Sequence, residues 1–372
     1  MSSLCIKYRI LPTKAQETAL SETLDICRQV YNSLVTERTA LYKTQGKSLS
    51  RNTQNNHIAQ WKASHPELKG VHSQVLQNVS ERVELAFQAF FRRVKSGEKP
   101  GYPRYKGRGT YDSLTFPQID KGGCRLQGEY IQVSKIGQVK CIVHRPLIDT
   151  PKTATIHRLA GKWFVCFVCE YEPVPLPASD KSIGIDIGLN KFAALSDGSF
   201  VENPRFFRQD EKALAKAGRK QSRTAKASKP RRKANKVLSR IHERIRNRRH
   251  DFVHQLSRKL VNEYGTIAVE KLNIKGMMQN HCLAKSISDA AWSMFRAVLS
   301  YKAESAGRIV ANIDPAYTSQ DCHQCGHRAK KTLKERWHLC PICGSSLDRD
   351  TNAAINILQK AVGTYGLVGI PA

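Results

Sequence analysis

At 372 residues with 40% hydrophobic content, the chain is too long for one hydrophobic core and apolar enough to build two or three. A formal net charge of +30 and a pI near 9.9 give it a positive field at neutral pH, whose natural partners are polyanions: nucleic acid first, an anionic membrane surface second. No run approaches the roughly 18 apolar residues of a spanning helix, and Met1 to Arg9 carries no apolar signal core, so an intracellular protein with no membrane partner is expected.

The first segment, Leu4 to Leu11, alternates as a strand does, and Thr13 and Gln16 then form a capping box that opens a helix. Leu20, Leu24, Cys27, Tyr31 and Leu34 recur at three and four residues and predict one apolar stripe running to Gly46. A second stripe, Val79, Val83, Ala86, Phe90 and Val94, ends at Gly97. From Leu114 the period changes to two, with strands near Arg125 to Val133, Val139 to His144 and Thr153 to Glu172, the last folded back at Ala160-Gly161-Lys162. One strand before the helices and several after them suggest a small β-barrel with a helical insertion in its first connection. The three prolines between Pro173 and Asp180 mark a linker.

The second half opens with Ser182-Ile183-Gly184-Ile185-Asp186-Ile187-Gly188, in which the isoleucines share one strand face and Asp186 lies on the other with two glycines. A second strand, Phe192 to Leu195, and the turn Ser196-Asp197-Gly198-Ser199 follow. Arg205 to Lys259 then holds twenty lysines and arginines against four acids, a helical hairpin that carries over half of the net charge, with Lys229-Pro230-Arg231-Arg232-Lys233 interrupting its two helical stretches.

Thr266 to Val269 is a short apolar strand with Glu270 at its end, and Asp350 begins a helical pattern. Two strand-borne acids and one at a helix start are able to converge on a sheet edge. Hard divalent ions such as Mg²⁺ want such oxygen ligands, and two of them about 4 Å apart activate water and steady a leaving oxygen in phosphodiester hydrolysis. The pairs Cys322-His323-Gln324-Cys325 and Cys340-Pro341-Ile342-Cys343 have the spacing of two zinc knuckles, each followed by a glycine, Gly326 and Gly344, where the turn is tight. Four thiolates fill a structural Zn²⁺ site, which leaves His323, His327 and His338 as surface groups or phosphate contacts.

Five blocks, read in order, carry a resemblance: Gly184-Ile185-Asp186-Ile187-Gly188, Ile267 to Leu272, Ser286 to Trp292, Thr318 to Cys322 and Asp348 to Ala354. They resemble the successive motifs of TnpB proteins, the transposon-encoded family related to type V CRISPR effector nucleases, and Gly101 to Lys106 extends the likeness upstream.

The resemblance implies a multidomain protein of α/β and all-β parts: an N-terminal wedge β-barrel (1–12 and 97–175) with a helical recognition insertion (13–96), then an RNase H-like RuvC domain (181–319 and 346–372) with an inserted zinc ribbon (320–345). It implies Asp186, Glu270 and Asp350 as the catalytic, magnesium-binding acids, with Asp348 a competitor for the third place, and Cys322, Cys325, Cys340 and Cys343 as zinc ligands. It also implies an RNA-guided DNA endonuclease, one chain on a guide RNA transcribed from the transposon end, acting on double-stranded target DNA in a prokaryotic cytoplasm, at the nucleoid. Gln77 and Asn78 match the family's segment for reading a target-adjacent motif, a task for which amides suit adenine edges. Arg219, Lys220, Arg223, Arg231, Arg232, Lys233, Arg244, Arg246, Arg248 and Arg249 are assigned to guide or heteroduplex phosphates. The alternatives are an RNA-guided repressor that binds without cutting, and a DNA-binding accessory of a transposase.

Overall fold

Thr13 closes the capping box expected from its sequence: its hydroxyl accepts the Gln16 amide and the Gln16 side chain accepts the Thr13 amide. Such a cap stabilises a helix start by about 1 kcal/mol. Here it fixes the point where strand β1 (Ser2–Leu11) gives way to helix α1 (Lys14–Gln45), which ends at Gly46 in the left-handed conformation glycine favours. The computed structural model describes residues 2–119, 122–332 and 335–365, and divides into two units, Met1–Glu172 and Pro173–Ala372. The last part of the expected nuclease segment, 366–372, lies outside the described residues.

In the first unit α1 is followed by α2 (Arg51–Ser64), α3 (Ser73–Lys95) and the strands β2 (Ser113–Phe116), β3 (Cys124–Gln127), β4 (Tyr130–Val133), β5 (Gly137–Ile142), β6 (Pro151–Leu159) and β7 (Lys162–Tyr171). All seven strands join one antiparallel sheet in the order β2-β6-β7-β1-β5-β4-β3. The end strands β2 and β3 each pair with a single neighbour among the described residues, so the sheet is a half-barrel rather than the closed ring the sequence suggests. The run Arg125 to Val133 is two strands, because Gly128 takes φ +55° and turns Gln127 back onto Tyr130.

Alternation along β1 buries Ile6, Tyr8 and Ile10, which share one core with the α1 stripe and with Leu76, Val79, Val83 and Phe87 of α3. The second stripe is therefore shorter than its periodicity: Phe90 is half-buried and Val94 exposed, since the last two turns of α3 run past the end of the core.

The second unit is built on a mixed sheet, β10-β9-β8-β11-β12, of β8 (Ser182–Ile187), β9 (Lys191–Leu195), β10 (Phe200–Glu202), β11 (Thr266–Glu270) and β12 (Ile309–Ile313). β8, β11 and β12 run parallel, and β9 is antiparallel to its neighbours. Parallel strands buried on both faces read as apolar runs, and every residue of β11 is buried. Between β10 and β11 come α4 (Phe206–Ser222) and α5 (Lys229–Glu263); between β11 and β12, α6 (Ile274–Met277), α7 (His281–Ala290) and α8 (Trp292–Ser305). Pro230 lies in the first turn of α5, capped by Ser228, so the basic run starts the second helix instead of interrupting it. The chain closes with a hairpin, β13 (Trp337–Leu339) and β14 (Ser346–Asp348), and α9 (Arg349–Tyr365).

Ile183, Ile185 and Ile187 point into the core shared with α5 and α8, while Ala268, Ala311 and Ile313 meet Ile357, Leu358 and Ala361 of α9 on the other face. No helix among the described residues is long and apolar enough to cross a membrane.

Candidate functional site

Two local rules bring the three acids together. Val269 pairs with Ile185 across the parallel strands, so one step further along both strands Glu270 stands level with Asp186 at their carboxyl ends. Crevices at that edge of an α/β sheet are where ligands bind. The helix enters from the other side through Gly184, where a Cβ would meet the Ala354 carbonyl oxygen at 2.1 Å and the Leu358 Cβ at 2.9 Å. With hydrogen as its side chain, Gly184 lets α9 lie directly on β8. Two residues along a strand advance about 6.6 Å and four along a helix about 6 Å, so Asp350, four before Ala354, comes level with Asp186, two after Gly184.

All three acids line one cleft of about 520 Å³, together with Lys191, Trp292, Thr318, Arg336 and Arg349. Burial, then the neighbouring Glu270 and Asp350 carboxylates, push Asp186 well above the ordinary carboxylate range, against the pull of Arg349. Burial also raises Glu270, opposed by a hydrogen bond that the Thr318 hydroxyl donates to it at 2.8 Å and by Lys360. Arg349 and Arg336 reach Asp350 at 3.3 and 3.9 Å. Carboxylates crowded out of water in this way are a donor set for a hard divalent cation, which would relieve their repulsion.

Asp348 does not share the arrangement of Asp350. Its carboxylate accepts the backbone N–H groups of Asp350 at 2.9 Å and Thr351 at 3.2 Å, capping α9. Thr318, Arg336 and Arg349 were not singled out in the sequence. Thr318 sits in a recognised block, but nothing in its spacing points to Glu270, which lies 48 residues away.

The four cysteine sulfurs lie within 4.8 Å of one another, with Cys322 and Cys343 at 3.6 Å and Cys325 and Cys340 at 3.5 Å. A disulfide would need about 2.05 Å, whereas thiolates about 2.3 Å from a tetrahedral zinc stand about 3.8 Å apart. Each knuckle closes as its glycine allows: Gly326 and Gly344 take φ +72° and +74° and donate to the carbonyls of Cys322 and Cys340. The set fits structural zinc. Of the nearby histidines, His338 is fully buried, so the expectation of a surface group fails there: it lies on β13, where its ring faces inward against Lys331. Asn352 and Asn356 of α9 hold the carbonyls of Thr318 and Asp321, and Asn352 accepts the His323 amide, which ties the first knuckle to the helix that carries Asp350.

The basic hairpin divides into two sets. Arg244 and Arg248 are bound to Asp210, Arg249 to Asp289, and Arg231 donates to the carbonyls of Gln221 and Thr224. Arg231, Arg244 and Arg248 hold α5 against α4 and Arg249 holds it against α7, while the Arg244 side chain stays 55% exposed. Arg219, Lys220, Arg223, Arg232, Lys233 and Arg246 are exposed and have no ion pair among the described residues. In the first unit Gln77 is exposed, whereas the Asn78 amide is engaged by Glu81 and Arg82 of its own helix.

Comparison with known proteins agrees with this order of parts. A family profile described as "Probable transposase" (OrfB_IS605) matches residues 166–281, one for a "Cas12f1-like, TNB domain" matches 292–357, and one for a "Helix-turn-helix domain" matches 1–47. The last segment is one strand and one unbroken helix here. A Streptomyces pristinaespiralis protein named "Putative RNA-guided DNA endonuclease" is 36% identical over 96% of this chain and 89% of its own length. Its Escherichia coli K12 counterpart, "Putative RNA-guided DNA endonuclease InsQ", is 30% identical over 95% and 90%. The "CRISPR-associated endodeoxyribonuclease Cas12f1" of Sulfoacidibacillus thermotolerans is 29% identical over 53% of this chain and 50% of its own. Kinship over nearly the whole length, with the sequence blocks in the same order as the elements that carry them, establishes that the chain belongs to the TnpB family.

Proposed function

We propose that this chain is an RNA-guided DNA endonuclease with a single hydrolytic site, the cleft where β8, β11 and α9 bring Asp186, Glu270 and Asp350 together. The observation that carries the reading is that convergence, in a chain of net charge +30, of three acids on one cleft, with Asp186 buried beside the other two. Its relatives' names point to the same activity. Magnesium held by the three carboxylates would supply an activated water and a counter-charge for the leaving oxygen.

The chain's own residues do the rest. Thr318 fixes the Glu270 carboxylate through its hydroxyl, and Gly184 sets the depth of α9 and hence of Asp350. Arg336 and Arg349 give the cleft a cationic rim able to draw in a phosphate. Products with 5′ phosphates are expected, and with one site the two strands are cut in turn. The mixed sheet with helices on both faces supports an RNase H-like, RuvC-type reading of the second unit, with the four-cysteine hairpin as a zinc ribbon inserted in it. The half-barrel and its helices correspond to the wedge and recognition parts. Gln77 is placed at the target-adjacent motif, and the six free cations of the α4–α5 hairpin on guide or heteroduplex phosphates.

The test uses the ribonucleoprotein with its copurified RNA sequenced. Asp186→Ala and Glu270→Ala should lose Mg²⁺-dependent cutting of a guide-matched duplex while retaining guided binding in a gel shift on the same preparation. A wild-type complex that binds its matched target tightly but never cuts it across Mg²⁺ and Mn²⁺ concentrations would replace this reading with that of a repressor.

A further inference from the structure

The segment Gly101 to Arg108 has no helix or strand, yet it is fixed along α1 by side chains spaced one turn apart. Asn32 exchanges two hydrogen bonds with the Lys106 backbone, at 2.7 and 3.1 Å, Thr36 donates to the Tyr105 hydroxyl at 3.3 Å, and Thr39 bonds the Tyr102 hydroxyl at 3.0 Å. Pro103 biases Tyr102 toward an extended backbone, so the segment lies as a strap rather than coiling. Tyr102 also packs edge-on against Phe87 and Phe90 of α3.

Pinned by their hydroxyls, the two tyrosines keep their rings on the surface: Tyr102 is 45% and Tyr105 60% exposed. Between Arg92 and Arg108 the chain carries seven lysines and arginines against one acid, Glu98, and none of the seven has an ion pair among the described residues. Lys106 is placed over the Tyr31 ring, which leaves Arg104 and Arg108 on the strap as exposed guanidiniums. Fixed aromatic faces beside unpaired cations suit a strand whose bases are free to stack, since every base offers a π-face and every nucleotide a phosphate. A duplex keeps its base faces inside.

We propose that the strap Gly101–Arg108 is a binding site for single-stranded nucleic acid, with Tyr105 as the base platform and Arg104 and Arg108 on the flanking phosphates. It deepens the reading of the protein as a nucleic-acid enzyme but stands independently of cleavage: a chain with no nuclease activity would still carry the surface.

The full-length protein, freed of nucleic acid by high salt, is titrated with a short single strand carrying 2-aminopurine, as RNA and as DNA, and with the matching duplex. Quenching of the probe is expected with wild type and, at weaker affinity because the bond from Thr36 is lost, with Tyr105→Phe. It should be lost in Tyr105→Ala, with affinity about tenfold weaker. Arg104→Glu with Arg108→Glu should flatten the log-affinity against log-salt slope by about 1.4, two single-strand phosphates at about 0.7 each. Tighter binding of RNA or of DNA identifies the natural strand, and either supports the site. Equal quenching in all three tyrosine forms, or a loss in Tyr105→Ala that is as large for the duplex as for the single strand, overturns it. Photo-crosslinking of the untreated ribonucleoprotein gives a second measure that needs no stripped protein, and an adduct on the strap peptide is expected in wild type and absent in Tyr105→Ala.

Discussion

The second unit contains two ligand sets that differ in almost every respect. The four cysteines lie within 22 residues of chain, two in the turn between Asp321 and Arg328 and two in the turn of the β13–β14 hairpin, with their sulfurs close to the separation a tetrahedral ion requires. The three carboxylates come from β8, β11 and α9, across 164 residues, and burial with the neighbouring Glu270 and Asp350 raises the proton affinity of Asp186. The first set is a closed local staple. The second exists only when the whole sheet has formed, and a cation would reduce the repulsion at Asp186. The cysteine set is therefore written into neighbouring residues, whereas the acid set is written into packing.

The sharpest way to break the comparison is to remove a thiolate. Cys322→Ser should release about one equivalent of zinc, and because metal binding is folding energy for a ribbon without a core, several kcal/mol of stability should go with it. Elemental analysis and thermal unfolding measure both. Full stability with no zinc in the wild type would show that the hairpin needs no staple.

A smaller effect, of opposite sign, is expected at the acids. A carboxyl whose folded pKa is raised destabilises the folded state once pH passes its unfolded value near 3.9, and the penalty grows until the folded pKa is reached. Asp186→Asn should accordingly stabilise the metal-free protein at pH 7 by on the order of 1 kcal/mol, or about 2–4 °C in Tm, while abolishing cutting. The gain should vanish below about pH 4, where the wild-type group is protonated in both states. Calorimetry across pH, with and without Mg²⁺, checks this; a variant less stable than wild type at pH 7 would mean that Asp186 is a structural acid.

The smallest effect separates the two neighbouring aspartates. Asp348→Ala removes a helix cap, worth about 1 kcal/mol, and should leave cutting measurable. Asp350→Ala should leave none. Equal loss in both, with unchanged stability, would place Asp348 among the metal ligands.

The ease of reading followed locality. The capping box at Thr13, the hairpin at Ala160-Gly161 and the cysteine knuckles depend on residues two to four apart, and each was legible from spacing. Asp186 could be placed on the face opposite its isoleucines, but only likeness to a family joined it to Glu270 and Asp350. What joins them physically is the contact of Gly184 with Ala354, 170 residues away, which no periodicity encodes. Charge was legible as an amount but its internal partners were not: nothing in the spacing sets Arg244 and Arg248 on Asp210 or Arg249 on Asp289. The second stripe was overrun because a helix keeps its period after its core has ended, and the overrun is where exposed aromatic surface begins.

The junction at Asp348 has a mechanical meaning. The last residue of β14 is the cap of α9, and Asp350 stands two residues on. There is no slack between the cysteine hairpin and Asp350, so a tilt of one has no linker in which to be absorbed before it reaches the other.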